Sequence, residues 1–214
     1  PETVKYFKNT SKVFLTGMPI RDSLLHGNLE KGLKFCGFAD KQKPVLLIMG
    51  GGLGSTVVNE CIRRLINPLT AKFQVIHICG KNKSDPAFAE IKDYKQFEYL
   101  QNEFADVLAS ADFVISRAGA TSIYELLALN KPNILLPLSK KASRGDQIDN
   151  AKYFAQQGLS EVIYFEEFTD KKLLETLSES YENLDQLKSR LSQFKQLNAT
   201  QIIIDKLVYF SFNR

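Results

Sequence analysis

The sequence predicts an α/β fold, a parallel sheet of about six strands covered by helices on both faces. Three observations predict it. Short apolar, β-rich runs recur along most of the chain, segments with helical apolar spacing fall between them, and two of the runs end in glycine-bearing turns that restart as helices. Strand and helix alternating in this way is the pattern of parallel strands joined by helical crossovers.

The elements follow in order. Val45-Leu-Leu-Ile-Met49 is apolar throughout, as a strand buried on both faces should be, and Gly50-Gly-Gly-Leu-Gly54 breaks it. Residues 74–79, 97–100, 113–116, 133–136 and 162–164 read as further strands. Residues 55–65, 86–93, 103–110, 121–129 and 146–156 read as the helices between them. Such sheets bind ligands beyond the carboxyl ends of their strands, so the exits at Gly50–Gly54 and Gly119 are expected to open on one edge.

Two flanks fall outside the alternation. Residues 1–11 read as a helix end and Lys12-Val-Phe-Leu-Thr16 as one more strand, closed by Gly17-Met-Pro-Ile-Arg21. After Thr169 the pattern is helical to the terminus. The last helix, with Ile202, Ile203, Ile204, Leu207, Val208, Phe210 and Phe212, is apolar nearly all round and needs a partner surface on more than one side. It is too short for a membrane span, and nothing resembles a signal peptide. A first residue of Pro1 rather than Met points to a fragment or processed product.

Composition narrows the function. With 214 residues, 44% of them apolar and 24% charged, the chain has material for one substantial core. The net charge of +4 is scattered over Lys81, Lys83, Lys140, Lys141, Arg144 and others, with no aromatic-interleaved basic stripe, which speaks against nucleic acid as a partner. Cys36, Cys61 and Cys79 are widely spaced and read as reduced core thiols of a cytosolic protein. Only His26 and His77 are histidines; His77 sits in an apolar strand pattern and reads as a packed core residue, and no metal site is expected.

The most informative stretch is Phe113-Val-Ile-Ser-Arg-Ala-Gly-Ala-Thr-Ser-Ile-Tyr-Glu125. A strand breaks at Gly119 and restarts as a helix with Ile123, Leu126 and Leu127 on one face and Glu125 turned away from them. A helix start after glycine presents unpaired N–H groups suited to a phosphate, and a carboxylate a turn further in suits a ribose diol. The run at residues 50–54 is a poor dinucleotide fingerprint, because Ser55 takes the third glycine position and Gly80-Lys81 stands where a ribose-binding acid should close the second strand. It survives as a flexible turn that can approach a diphosphate or sugar closely. Gln147 and Asn150, one turn apart at the start of a helix, could both reach a bound sugar.

Thr16-Gly-Met-Pro-Ile-Arg21, the glycine turn, Ser116-Arg-Ala-Gly-Ala-Thr-Ser-Ile-Tyr-Glu-Leu-Leu-Ala128 and Gly145-Asp-Gln-Ile-Asp-Asn-Ala151 occur in the order and spacing of one family. The chain resembles the carboxyl-terminal half of the MurG family of bacterial peptidoglycan glycosyltransferases, the undecaprenyldiphospho-muramoylpentapeptide β-N-acetylglucosaminyltransferases. The resemblance implies a GT-B enzyme, of which this chain is one Rossmann-like, doubly wound half. It implies an inverting transfer of N-acetylglucosamine from UDP-N-acetylglucosamine to the lipid-linked muramoylpentapeptide, lipid I to lipid II, in peptidoglycan and cell-wall biogenesis. It implies no metal or other cofactor, and a peripheral place on the cytoplasmic face of the bacterial cell membrane.

Matched position by position, the resemblance makes Arg21 the diphosphate contact and Gly51 and Gly52 part of the substrate-binding turn, Gly52 standing where a serine is usual. Leu100 would meet the uracil through its backbone; Gly119, Ala120, Thr121 and Ser122 would face the phosphates; Glu125 would hold the ribose; Gln147, with Asn150 beside it, would read the sugar hydroxyls. Met18 replaces a common asparagine. The catalytic base is expected on an amino-terminal acceptor domain absent from this sequence, so the fragment alone should be inactive. The expected organisation is a tail of that domain at 1–21, the UDP-sugar domain at 22–197, and a terminal helix at 198–214 packing on the missing domain. Other readings are a glycolipid synthase using a UDP-hexose, and a non-catalytic UDP-sugar-binding subunit that needs a membrane partner.

Overall fold

The computed structural model describes the chain except residues 1–3, 5, 6, 11, 12, 39, 40, 53, 141, 143, 195, 196, 213 and 214. Parts of the expected amino-terminal helix end, Lys12, Leu53 and Lys141 therefore lie outside the described residues. The chain divides into two compact units, Arg21–Phe194 and a smaller one made of Pro1–Ile20 with Lys195–Arg214.

The larger unit is built on a six-stranded, wholly parallel sheet. Its strands are β1 (Val45–Met49), β2 (Gln74–Ile78), β3 (Tyr94–Phe97), β4 (Phe113–Ser116), β5 (Asn133–Leu135) and β6 (Glu161–Val162), in the order β3-β2-β1-β4-β5-β6. This is the doubly wound order, and it reverses between β1 and β4. Residues of β1 alternate between the faces. Leu46 and Ile48 join a cluster with Val58, Ile62, Leu173 and Leu177, while Val45 and Leu47 join one with Leu33, Val107 and Leu108.

Ten α-helices lie among the described residues: α1 (Asp22–Leu25), α2 (Leu29–Phe35), α3 (Thr56–Arg64), α4 (Ile66–Lys72), α5 (Phe104–Ser110), α6 (Ala120–Ala128), α7 (Asp146–Gln156), α8 (Asp170–Glu182), α9 (Leu184–Gln193) and α10 (Ala199–Phe212). Helix α3 ends where Pro68 dictates. Proline clashes with the carbonyl four residues back, that of Arg64, so the chain breaks at Leu65 and restarts as α4 with Pro68 in its first turn.

Several expected boundaries move. The third strand runs over Tyr94–Phe97 rather than 97–100, because Tyr94 is wholly buried and pairs with Val75, while Lys95 and Gln96 sit on an edge strand. The segment 86–93 is not a helix; it makes one 3-10 turn at Pro86–Phe88, capped by Asp85, and reaches β3 through Asp93 at φ 61°. The described part of the expected amino-terminal strand, residues 13–16, belongs to no sheet. In the smaller unit Phe14 packs on Phe210 at 5.9 Å, and Leu207, Val208, Tyr209, Phe210 and Phe212 of α10 are exposed.

Candidate functional site

The site grows from the seam between β1 and β4, where Met49 pairs with Ser116. Leaving β1, the chain enters the glycine turn. Gly54 has φ +65°, and a Cβ there would stand 1.8 Å from the Cys79 carbonyl oxygen, so the turn is pressed against the exit of β2 and admits only glycine. Ser55 then caps α3, its hydroxyl accepting from the Val58 N–H at 3.4 Å. Gly52 differs, since a Cβ added to it would meet nothing within 4 Å.

Leaving β4, the chain reaches Gly119, the N-cap of α6. Glycine has no side chain to cap with, and the N–H groups of Ala120, Thr121 and Ser122 bond to no described residue. Gly119 has an ordinary φ of −70°, and an added Cβ would find only Ser122 Oγ at 4.0 Å. The packing of the chain itself therefore does not call for glycine here. An anion approaching the helix end would.

Glu125 rises from α6 with only 8% of its side chain exposed, and its Oε1 accepts from Arg21 Nε at 3.0 Å. The Arg21 guanidinium carbon lies 5.6 Å from the centre of the Phe104 ring. Arg21, Gly51, Gly52, Leu100, Ser122 and Glu125 line one cavity of about 180 Å³, with Met49, Ile78 and Leu126 among its apolar wall. The Leu100 side chain is buried while its backbone N–H and C=O bond to no described residue. They are left unbonded by described residues at the cavity that Leu100 lines.

Not every expected residue reaches this cavity. Gly119, Ala120 and Thr121 form the turn leading to its wall rather than the wall itself. Gln147 Oε1 accepts from the Leu138 N–H at 3.1 Å, and Asn150 Nδ2 donates to the Ala118 carbonyl at 3.1 Å. Both amides brace the strand exits, Asn150 directly behind Gly119. Tyr99, unremarked in the sequence, lines the cavity with 62% exposure, an aromatic face held at its mouth beside Leu100.

A buried polar layer supports the glycine turn. Asn59 Nδ2 donates to the Cys79 carbonyl at 2.9 Å, which leaves Asn59 Oδ1 to accept from His77 Nε2 at 3.0 Å. His77 Nδ1 then accepts from the Tyr94 hydroxyl at 2.9 Å, so the network itself assigns the neutral Nε2–H tautomer. Burial pushes the His77 pKa down to about 3. His77 is the packed core histidine expected from its strand, and Cys36, Cys61 and Cys79 are buried free thiols. Among the described residues no group of three or more His, Cys, Asp or Glu is placed to hold a metal ion, and no helix is long and apolar enough to cross a membrane.

Residues 45–206 match the glycosyltransferase family 28 C-terminal domain. The chain belongs to this family. Among its relatives, the "UDP-N-acetylglucosamine--N-acetylmuramyl-(pentapeptide) pyrophosphoryl-undecaprenol N-acetylglucosamine transferase" of Clostridium botulinum (strain Kyoto / Type A2) is 49% identical over 205 residues, 96% of this chain and 57% of the relative. The protein of that name from Legionella pneumophila (strain Lens) is 48% identical over 200 residues, 94% of this chain and 55% of the relative. This family 28 domain thus spans little more than half the length of such relatives. Its fold resembles that of Acinetobacter baumannii MurG (TM-score 0.68, 22% identity, 93% of this chain and 57% of that one). It also resembles that of the UDP-GlcNAc 2-epimerase from Neisseria meningitidis (TM-score 0.65, 16% identity, 94% of this chain and 56% of that one). The six-stranded parallel sheet with its helices matches GT-B glycosyltransferase neighbours such as MurG.

Proposed function

We propose that this chain binds UDP-N-acetylglucosamine and forms the donor half of an inverting N-acetylglucosaminyltransferase whose acceptor is undecaprenyl-diphospho-muramoylpentapeptide. The observation that carries the donor reading is the meeting, in one cavity, of Arg21, the buried Glu125 carboxylate, the glycine turn and the open backbone of Leu100. The names borne by relatives near half identical over almost the whole chain support the same donor and acceptor.

Each part has a chemical role in this reading. The Leu100 N–H and C=O pair with the uracil edge, and Tyr99 offers a face for the ring to stack on. Glu125 spends one of its roughly four lone-pair sites on Arg21, and the others accept the ribose hydroxyls. The N–H groups of the Gly119–Ser122 turn and Arg21 face the diphosphate. Negative charge develops there as the bond to the sugar breaks, so donors fixed beforehand lower the barrier. Gln147 and Asn150 act on the sugar side by holding the loops around it. The base that deprotonates the acceptor hydroxyl belongs to an amino-terminal acceptor domain, onto which the exposed apolar residues of α10 pack. In this organisation residues 1–21 are the tail of that domain, 22–197 the donor domain and 198–214 the returning helix. The whole enzyme works peripherally at the cytoplasmic membrane face.

Calorimetric titration of the chain with UDP-N-acetylglucosamine, with UDP-glucose and NAD as competitors, tests the proposal. Selective binding of the N-acetylated donor, without turnover by the chain alone, is the expected result. Equal binding of UDP-glucose would move the reading to a hexose-dependent glycolipid synthase, and no binding of any uridine nucleotide would end it.

A further inference from the structure

Arg117 lies between the two ligand-facing turns yet takes no part in the reading above. Its side chain is half-buried. Nη2 donates to Ser55 Oγ at 2.6 Å, and Nη1 donates to the Leu136 carbonyl at 2.9 Å and, more weakly, to that of Pro137 at 3.5 Å. All three acceptors are neutral. No carboxylate among the described residues pairs with Arg117, and burial alone shifts its pKa, downward. A cation partly withdrawn from water gains from a counter-ion, because desolvating an unpaired charge is costly.

The position suggests what the missing counter-ion is. Arg117 lines a separate small cavity with Val58, Leu136 and Pro137, but it directly follows Ser116, which lines the donor cavity, and precedes the Gly119 turn by two residues. On its other side, a Cβ added to Gly51 would lie 3.8 Å from Arg117 Cγ. The hydrogen bond to Ser55 also fixes the hydroxyl that caps α3, so one side chain reaches both strand exits.

We propose that Arg117 is a positioning residue whose half-buried charge, paired with no carboxylate among the described residues, is completed by the diphosphate of the bound nucleotide, so that it selects nucleoside diphosphates over nucleosides without touching the base or sugar. This rests on the donor reading and deepens it. The charge acts through a partly buried, low-dielectric path, where screening is weak. Binding the dianion relieves the cost of holding the cation there.

The test compares UDP with uridine on the full chain, unsubstituted and as Arg117→Gln, Arg117→Lys and Ser55→Ala. Arg117→Gln should weaken UDP by roughly tenfold and leave uridine within about twofold. Arg117→Lys keeps the charge and should keep most of the UDP preference. Ser55→Ala removes the hydroxyl clamp but not the charge, and should keep the preference as well. A purely structural staple would instead weaken UDP and uridine in parallel, and an unchanged UDP-to-uridine ratio in Arg117→Gln would overturn the inference. Should Arg117→Gln fail to fold, the lysine variant decides: a ratio preserved at weaker hydrogen bonding supports the charge, and a ratio lost overturns it. If the unsubstituted chain binds UDP and Arg117→Gln keeps the ratio, only this inference fails. If the unsubstituted chain binds neither ligand, the donor reading fails first.

Discussion

Arg21 and Glu125 stand 104 positions apart in sequence and form an ion pair of 3.0 Å between a half-exposed guanidinium and a nearly buried carboxylate. The two side chains assigned to different parts of one nucleotide are therefore already in contact with each other. The pair orients Glu125 and holds Arg21 over the Phe104 ring. It fixes both in place before any ligand arrives, which reduces the ordering that binding must supply.

Replacing Glu125 with Ala removes the proposed ribose acceptor and leaves Arg21 unanchored. Hydrogen bonds to charged groups contribute about 1.5–3 kcal/mol, so UDP affinity should fall roughly 10- to 100-fold. Calorimetry with UDP reads this directly. Unchanged affinity would remove Glu125 from the site.

Gly52 offers the opposite experiment. The resemblance leads one to expect a serine at this position, and an added Cβ would meet nothing within 4 Å. Gly52→Ser should fold with a melting temperature close to that of the unsubstituted chain. It should bind the diphosphate more tightly, by up to the roughly 0.5–1.5 kcal/mol of one net hydrogen bond. Weaker binding would mean that the turn needs the smaller residue for the ligand to enter.

Gly54→Ala should be costly. The methyl would collide with the Cys79 carbonyl oxygen at 1.8 Å, and alanine resists the left-handed φ of +65°. A loss of at least about 2 kcal/mol by urea denaturation is expected. Gly145→Ala is the matched control: its φ is +92° but nothing lies within 4 Å, so only backbone strain of roughly 1 kcal/mol applies. Equal losses at the two positions would show that the carbonyl yields easily.

His77 makes stability depend on pH. The folded chain keeps it neutral down to about pH 3, whereas an unfolded histidine takes up a proton near pH 6.5. Its stabilisation is therefore fully present above pH 6.5 and is lost as pH falls toward 3, amounting to about 2 kcal/mol between pH 7 and pH 5. His77→Gln should remove that part of the acid sensitivity, read as the difference between the two proteins' urea melts at the two pH values. Parallel pH profiles would show that His77 does not titrate on unfolding.

The sheet was legible because its central strands are apolar without interruption, and Val45–Met49 and Phe113–Ser116 announce themselves as doubly covered. The edge was not. β3 is an edge strand on which Lys95 and Gln96 are only half-buried, Gln96 Oε1 accepting from the Asp85 N–H, and their polarity hid the strand. Helices α1 and α2 were missed for a related reason. Gly27 and Gly32 look like breakers in sequence, yet each lies where a Cβ would stand 2.2 Å from a carbonyl oxygen of α5 or its first turn, so glycine is what lets the helices meet.

Within the site, the turn at Gly119 and the carboxylate of Glu125 were readable from spacing alone. Arg117 was not, since a cation beside a strand reads as solvated unless its burial is known. Likewise the bonds of Gln147 and Asn150 to the backbone follow from which loops the sheet order brings together, which no local pattern contains.

The reversal of strand order between β1 and β4 has a kinetic side. The two walls of the cavity come from chain segments that meet only when β4 docks on β1, after the intervening β2, β3 and α5 have been looped out. That closure is entropically slow, and the three strands that precede it can pair among themselves first. The proposed donor recognition would thus be a property of the joined halves alone, and a ligand gripping both turns would act as a latch against their parting, slowing unfolding more than it speeds folding.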